Sequence, residues 1–208
     1  HEGSAAAPMV STHYMKQRRT WGLLVTTLLT MTGVFAIMNG VVPAIAQDTT
    51  LWGGMSASTV SFATLTPYAL LGLAFGYHVV LRTGLVVTIV GALFGIFVAN
   101  SPSIAALVVI SVVLGISYAG TANIMLNGLG IVLSPKDNPG YLPGMNAGAF
   151  NLGAGLSFAV LYAVMNSFTV SGGAAAGYAA SLVAGAVLVG AALLCSFLIP
   201  KEEDADNS

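Results

Sequence analysis

The sequence predicts an all-α bundle of six transmembrane helices, and three observations point to it. Hydrophobic residues make up 56% of the chain and charged residues 6%, against about a quarter charged in a soluble domain. The charges are clustered, leaving uncharged gaps at 20–47, 49–81, 83–135 and 138–200. A spanning helix needs roughly 20 apolar residues. The last two gaps each hold two spans, divided by the turn-like NSPS at 100–103 and SFTVSGG at 167–173. Mean hydropathy is +0.89. Too little charge exists to coat a water-facing surface.

Taken in order, the first predicted helix, 21–44, follows the basic residues Lys16, Arg18 and Arg19 and meets Pro43 near its end. The second, 58–77, follows Gly53–Gly54 and carries Pro67. Each proline removes an intrahelical hydrogen bond and is expected to kink or end its helix. The third, 85–99, is the shortest and needs part of VVLRTG to reach across; His78 and Arg82 are assigned to the loop before it. The fourth, 104–126, starts past Ser101–Pro102 and stops before PKDNPG at 135–140. The fifth and sixth are 144–166 and 178–199. A barrel would alternate apolar and polar residues with a period of two; here the runs are apolar all round.

Six helices place both termini on one side, together with every basic residue: Lys16, Arg18, Arg19, Arg82, Lys136 and Lys201. The bias of Lys and Arg toward the cytoplasm makes that side the inside, so the expected location is the cell (inner) membrane with cytoplasmic termini. The chain divides into a lead-in or linker, 1–19, a transmembrane domain, 20–200, and an acidic, solvated tail, 201–208. The lead-in lacks the apolar core of a signal peptide. It is rich in Pro, Ala and Ser and does not begin with Met, which reads as a piece of a longer protein. Net charge is −1, with its few charges scattered over loops, and no nucleic-acid partner is implied. The lone Cys195 reads as a small core hydrophobe.

The fifth helix carries Gly144, Gly148, Gly155 and Ala159 on one face, with Asn151 in line. In lipid, helices associate through close contact at small residues, and an amide can bond across such a contact. The stripe is therefore a packing face, either inside this bundle or against another body. Polar residues within spans usually face protein or a water-filled cavity. Phe35, Met38 and Asn39 on the first helix, with Ser117, Tyr118, Thr121 and Asn123 on the fourth, are the candidates for contact with an amphipathic solute. Structural bonding is the alternative for each amide. No Asp, Glu, Lys, Arg or His is expected clearly within a span, whereas proton-coupled transport normally needs one. HExxH, GxSxG and paired Cys are missing, so neither a metal, a cofactor nor an enzyme activity is expected.

Four segments together resemble the C-terminal half of a major facilitator superfamily transporter, in particular its fourteen-helix drug:proton antiporter branch. They are APMVSTHYMKQRRTWGLLV with NGVVPAIAQ, SASTVSFATLTPYALLGLAFGY, YAGTANIMLNGLGIVLSP, and PGMNAGAFNLGAGLSFAVLYAVM. The resemblance implies two three-helix repeats. It also implies a cavity lined by the first and fourth helices, and a face of the second and fifth turned to a missing N-terminal half. YHVVLRTG keeps only Arg82 and Gly84 of the family's Gly-x-x-x-Asp-Arg-x-Gly loop, with Leu81 at the acidic position. The expected activity is half of a secondary transporter, exporting an amphipathic small molecule or drug in exchange for protons. The alternatives are a stand-alone six-helix module that homodimerises, and a facilitator of another substrate class such as a metabolite uniporter or exchanger.

Overall fold

The computed structural model describes residues 12–48, 77–101, 103–118 and 124–201, the side chains of Thr12, Ile116 and Tyr118 excepted. A short helix α1 (Thr12–Met15) leads into α2 (Arg18–Ala36), which continues through a π-helical segment (Ile37–Val41) into α3 (Val42–Gln47). Then come α4 (Tyr77–Asn100), α5 (Ile104–Tyr118), α6 (Met125–Val132) and α7 (Tyr141–Cys195), which ends in a 3-10 turn, Ser196–Leu198. The described residues contain no strand. Among them, Arg18–Gln47, Tyr77–Asn100 and Tyr141–Leu198 are long and apolar enough to cross a membrane.

The last of these holds 58 residues, about 87 Å if it were one straight rod, against a hydrocarbon core of about 30 Å. It must fold back, and it does so at Gly173, where φ is 82° and ψ 177°. That conformation is open to glycine and strained for a side chain. The two arms, 141–172 and 174–195, then run antiparallel. Ser181 Oγ donates to the Leu161 carbonyl at 2.6 Å, and a Cβ at Gly177 would lie 2.7 Å from the Met165 carbonyl oxygen. The predicted turn at 167–173 is thus helical up to its final glycine.

Helix α2 packs against both arms. It runs parallel to the first: Thr27 bonds Asn146, Gly153 abuts Leu28 and Met31, and the Ala36 amide meets Ser157. It runs antiparallel to the second, where Gly33 faces Gly185 and Gly22 faces the Leu198 backbone. A Cβ on Gly33 would stand 2.8 Å from the Gly185 carbonyl, and one on Gly185 only 2.5 Å from the Gly33 carbonyl. Only hydrogen fits between these backbones. Helices α4 and α5 form a second antiparallel pair, closed where Gly91 meets Leu114 and Gly95 meets Ile110. Gly95 also touches Leu182 and so seats that pair on the second arm.

Several predicted boundaries move. The first helix runs on to Gln47: Pro43 lies just past the π segment, whose wider turn takes up the missing amide. Helix is present from Tyr77 onward, so YHVVLRTG is helix and not loop; the sequence there holds no proline, and Thr88 bonds back to the Gly84 carbonyl at 2.9 Å. The predicted fourth helix ends at 126, but helix is present from Met125 to Val132. The predicted second helix, with Pro67, lies outside the described residues apart from Tyr77.

The contact of Gly33 with Gly185 generates a stability prediction. Gly185→Leu should destabilise the purified chain in detergent by roughly 1–3 kcal/mol or more, from overpacking. Gly148→Leu, on a face that meets no described neighbour, should stay within about 0.5 kcal/mol. Thermal unfolding of both variants checks this. Equal losses would show that the interface is misplaced.

Candidate functional site: the open face of α2 and the first arm

The inner contact between α2 and the first arm is polar, and its buried amide is hydrogen-bonded. Thr27 Oγ1 donates to Asn146 Oδ1 at 2.5 Å, and Asn146 Nδ2 donates to Asn127 Oδ1 at 2.9 Å. Asn146 is fully buried. A buried amide left unpaired costs about 1–3 kcal/mol, so this chain of bonds pins α2, α6 and α7 in one register. One turn beyond Gly153, the Ala36 amide donates to Ser157 Oγ at 2.8 Å. Thr26 and Thr32 return their hydroxyls to carbonyls one turn back in their own helix.

The π segment begins directly after Ala36; within it Asn39 is exposed and Met38 buried, Asn39 lying about five turns along from exposed Trp21 on the same open face. Asn39 Nδ2 donates to the Phe35 carbonyl at 2.9 Å. The Phe35 ring meets Phe158 edge-on at 5.8 Å and Phe150 at 6.5 Å. Phe158 stacks on Tyr162, 5.8 Å between centroids and 11° between planes. Tyr162 reaches the π segment because Gly40 has no side chain: a Cβ there would collide with the phenol oxygen. The result is a partly exposed aromatic surface bordered by an exposed amide.

Beside it on the first arm, Gly144, Gly148, Asn151, Gly155 and Ala159 are all exposed. No described atom lies within 4 Å of a Cβ built on any of the three glycines. Asn151 Nδ2 donates at 2.9 Å to the Ala147 carbonyl of its own helix.

Of the solute-contact candidates, the structure brings Phe35 and Asn39 together on the open face. Met38 and Ser117 are 5% and 1% exposed, Ser117 donating to the Leu114 carbonyl at 2.9 Å; both are core residues. The Tyr118 side chain, Thr121 and Asn123 lie outside the described residues. Arg82 lies within α4, not in a loop. Its guanidinium lies 4.2 Å over the Phe197 ring, with Nη2 3.5 Å from the Ser196 carbonyl. Arg18 donates to the Phe197 carbonyl at 3.3 Å. Two cations therefore meet the carbonyl end of the last helix, the favourable end for positive charge. Among the described residues no group of three or more His, Cys, Asp or Glu could hold a metal.

Sequence reasoning missed Thr27, Asn146, Ser157 and Tyr162. A signal was present: Asn146, Gly153 and Ser157 recur at helical spacing, a second small and polar stripe on the same helix.

Each end of the continuous run from α1 to α3 carries a tyrosine–carboxylate bond. At the far end Tyr178 donates to Asp48 at 2.8 Å. At the basic end Tyr14 donates to Asp137, with its ring against Tyr141 at 5.3 Å. The hydrogen bond to Asp137 raises the Tyr14 phenol above its ordinary value. The same bond is the main cause holding the Asp137 carboxyl below the usual range. Charged Asp137 with neutral Tyr14 is the bonded form. The contact is complete above the ordinary carboxylate range and below the ordinary phenol range. It fails as pH falls through the lowered Asp137 value or rises through the raised Tyr14 value.

The class of protein follows from these features: an all-helical integral membrane bundle. The chain is similar to the uridine/deoxyuridine transporter of Lactococcus lactis subsp. cremoris (strain MG1363), 57% identical over 209 residues, covering 95% of this chain and 44% of that protein. The chain thus spans less than half the length of the curated relative it matches. No family profile matches it. The substrate in the relative's name is a nucleoside, so the expectation of a drug substrate loses its support and the metabolite alternative gains it.

The latch at the basic end can be read directly. Tyr14→Phe should return the Asp137 titration midpoint upward toward the ordinary carboxylate range, followed by carbon NMR of the carboxyl group. An unchanged midpoint would mean that the two side chains do not meet.

Proposed function

We propose that this chain forms half of a secondary membrane transporter for a pyrimidine nucleoside. The observation that carries the proposal is the 57% identity to a uridine/deoxyuridine transporter across 95% of the chain. The open face supports it on chemical grounds. A nucleoside couples a flat base to a polar sugar, and the face pairs stacked aromatic rings with an exposed amide. Base–aromatic stacking is worth roughly 1–3 kcal/mol per base, enough to hold a small solute without sealing it in place.

In this reading the partner is an N-terminal half. It covers the stripe of Gly144, Gly148, Asn151, Gly155 and Ala159, and the two halves rock about the nucleoside by alternating access. The basic end, where Arg18 and Arg82 meet the last helix, faces the cytoplasm. A homodimer built on the same stripe is the second reading, and the open glycines fit it equally well.

The test is flux of radiolabelled uridine in proteoliposomes holding the full-length protein. Uridine flux should saturate. Phe158→Ala should raise KM roughly 5- to 100-fold, from lost stacking, with protein yield unchanged. Gly148→Leu should insert and fold but carry little flux, because leucine holds the halves apart. Absence of uridine flux and of uridine competition would refute the proposal; a dimer of this chain alone that carries uridine would favour the homodimer.

A further inference from the structure

The Asn39 amide is oriented by the protein itself. Its Nδ2 donates to the Phe35 carbonyl at 2.9 Å. A carbonyl oxygen could not take that place, since two acceptors repel, so the alternative amide orientation is disfavoured. The nitrogen is held toward its own helix and Oδ1 is left as an acceptor, with no described group donating to it. Asn39 is exposed and lies within the π segment Ile37–Val41; such segments often mark functional positions in helices. The acceptor also has an aromatic floor beside it. Phe35, one turn back, meets Phe158 edge-on, and Phe158 stacks on Tyr162, whose hydroxyl presses on Gly40, the residue after Asn39.

We infer that Asn39 is the residue that selects uracil over cytosine, its oriented Oδ1 accepting the N3–H of a base stacked on the Phe35–Phe158–Tyr162 surface. The inference rests on the nucleoside reading above. The chemistry is a matter of donors and acceptors at one edge of the ring. Uracil carries a hydrogen on N3; cytosine carries a lone pair there, which would face the Asn39 oxygen and repel it. A freely rotating amide could flip to suit either base, but an amide tied to Phe35 gives up a hydrogen bond if it flips. The two substrates in the relative's name differ only at the ribose 2′ position and have the uracil base in common.

Competition against labelled uridine in proteoliposomes of the full-length protein decides the matter. Unlabelled uridine, cytidine and 3-methyluridine are the probes; the last two lack the N3–H, and cytidine does so without added bulk. In the wild type both should compete at least about tenfold more weakly than uridine, the cost of leaving a polar pair unmade. Asn39→Ala should weaken uridine by about tenfold and bring all three within about threefold of one another. Asn39→Asp keeps the acceptor and should still disfavour 3-methyluridine. Equal competition by cytidine and uridine in the wild type overturns the inference without any variant, even if 3-methyluridine is excluded by size. An undiminished uracil preference in Asn39→Ala overturns it as well. In both cases uridine still flows and the nucleoside reading stands; no uridine flux at all would remove both.

Discussion

The packing of this chain depends on how closely α2 approaches the two arms of α7. In lipid there is little hydrophobic gain from bringing two apolar helices together, so attraction comes from short-range contact and interhelical hydrogen bonds. Gly33 and Gly185 bring the backbones of α2 and the second arm into direct contact, and Gly153 does the same for the first arm against Leu28 and Met31. The hairpin at Gly173 lets one continuous segment present both surfaces. The α4–α5 pair then seats on the second arm through Gly95 and Leu182.

That arrangement leaves a division of labour on the first arm. Its inner face, with Asn146, Gly153 and Ser157, is committed to α2. Its outer face, with the glycine stripe and the edge of the Phe158–Tyr162 stack, has no described neighbour over the glycines. The same close contact that holds α2 also fixes the height of its π segment against Tyr162. Asn39 and the aromatic rings therefore share one level of the bundle because the glycine contacts place them there.

Much of the architecture could be read from composition alone, because an apolar run of given length has few alternatives in a membrane. The span starting near Trp21, the α4–α5 break near Pro102 and the reversal near Gly173 were all legible. The errors have a physical cause. Residues 77–84 look like a loop because they carry His78 and Arg82, but Arg82 instead meets the carbonyl end of the last helix and the Phe197 ring. Pro43 looks like a terminator, yet the π segment before it absorbs the irregularity. The face of the first arm that binds α2 was harder to choose. Small residues occur on two faces of one glycine-rich helix, and spacing alone cannot say which of them meets α2. Phe35 and Asn39 were legible as an aromatic and an amide at one level. Tyr162 was not, since its role depends on a glycine on another helix.

The most direct measurement is thiol accessibility along the two faces of the first arm and α2, in a Cys195→Ala background of the purified chain. Single cysteines at Asn39, Asn151 and Ala159, all exposed, should react rapidly with a hydrophilic maleimide. Cysteines at Ser157 and Ser181, both fully buried, should react only on unfolding. Fast labelling of Ser157→Cys with protection of Asn151→Cys would mean that the arm is rotated, and that α2 packs on the glycine stripe after all.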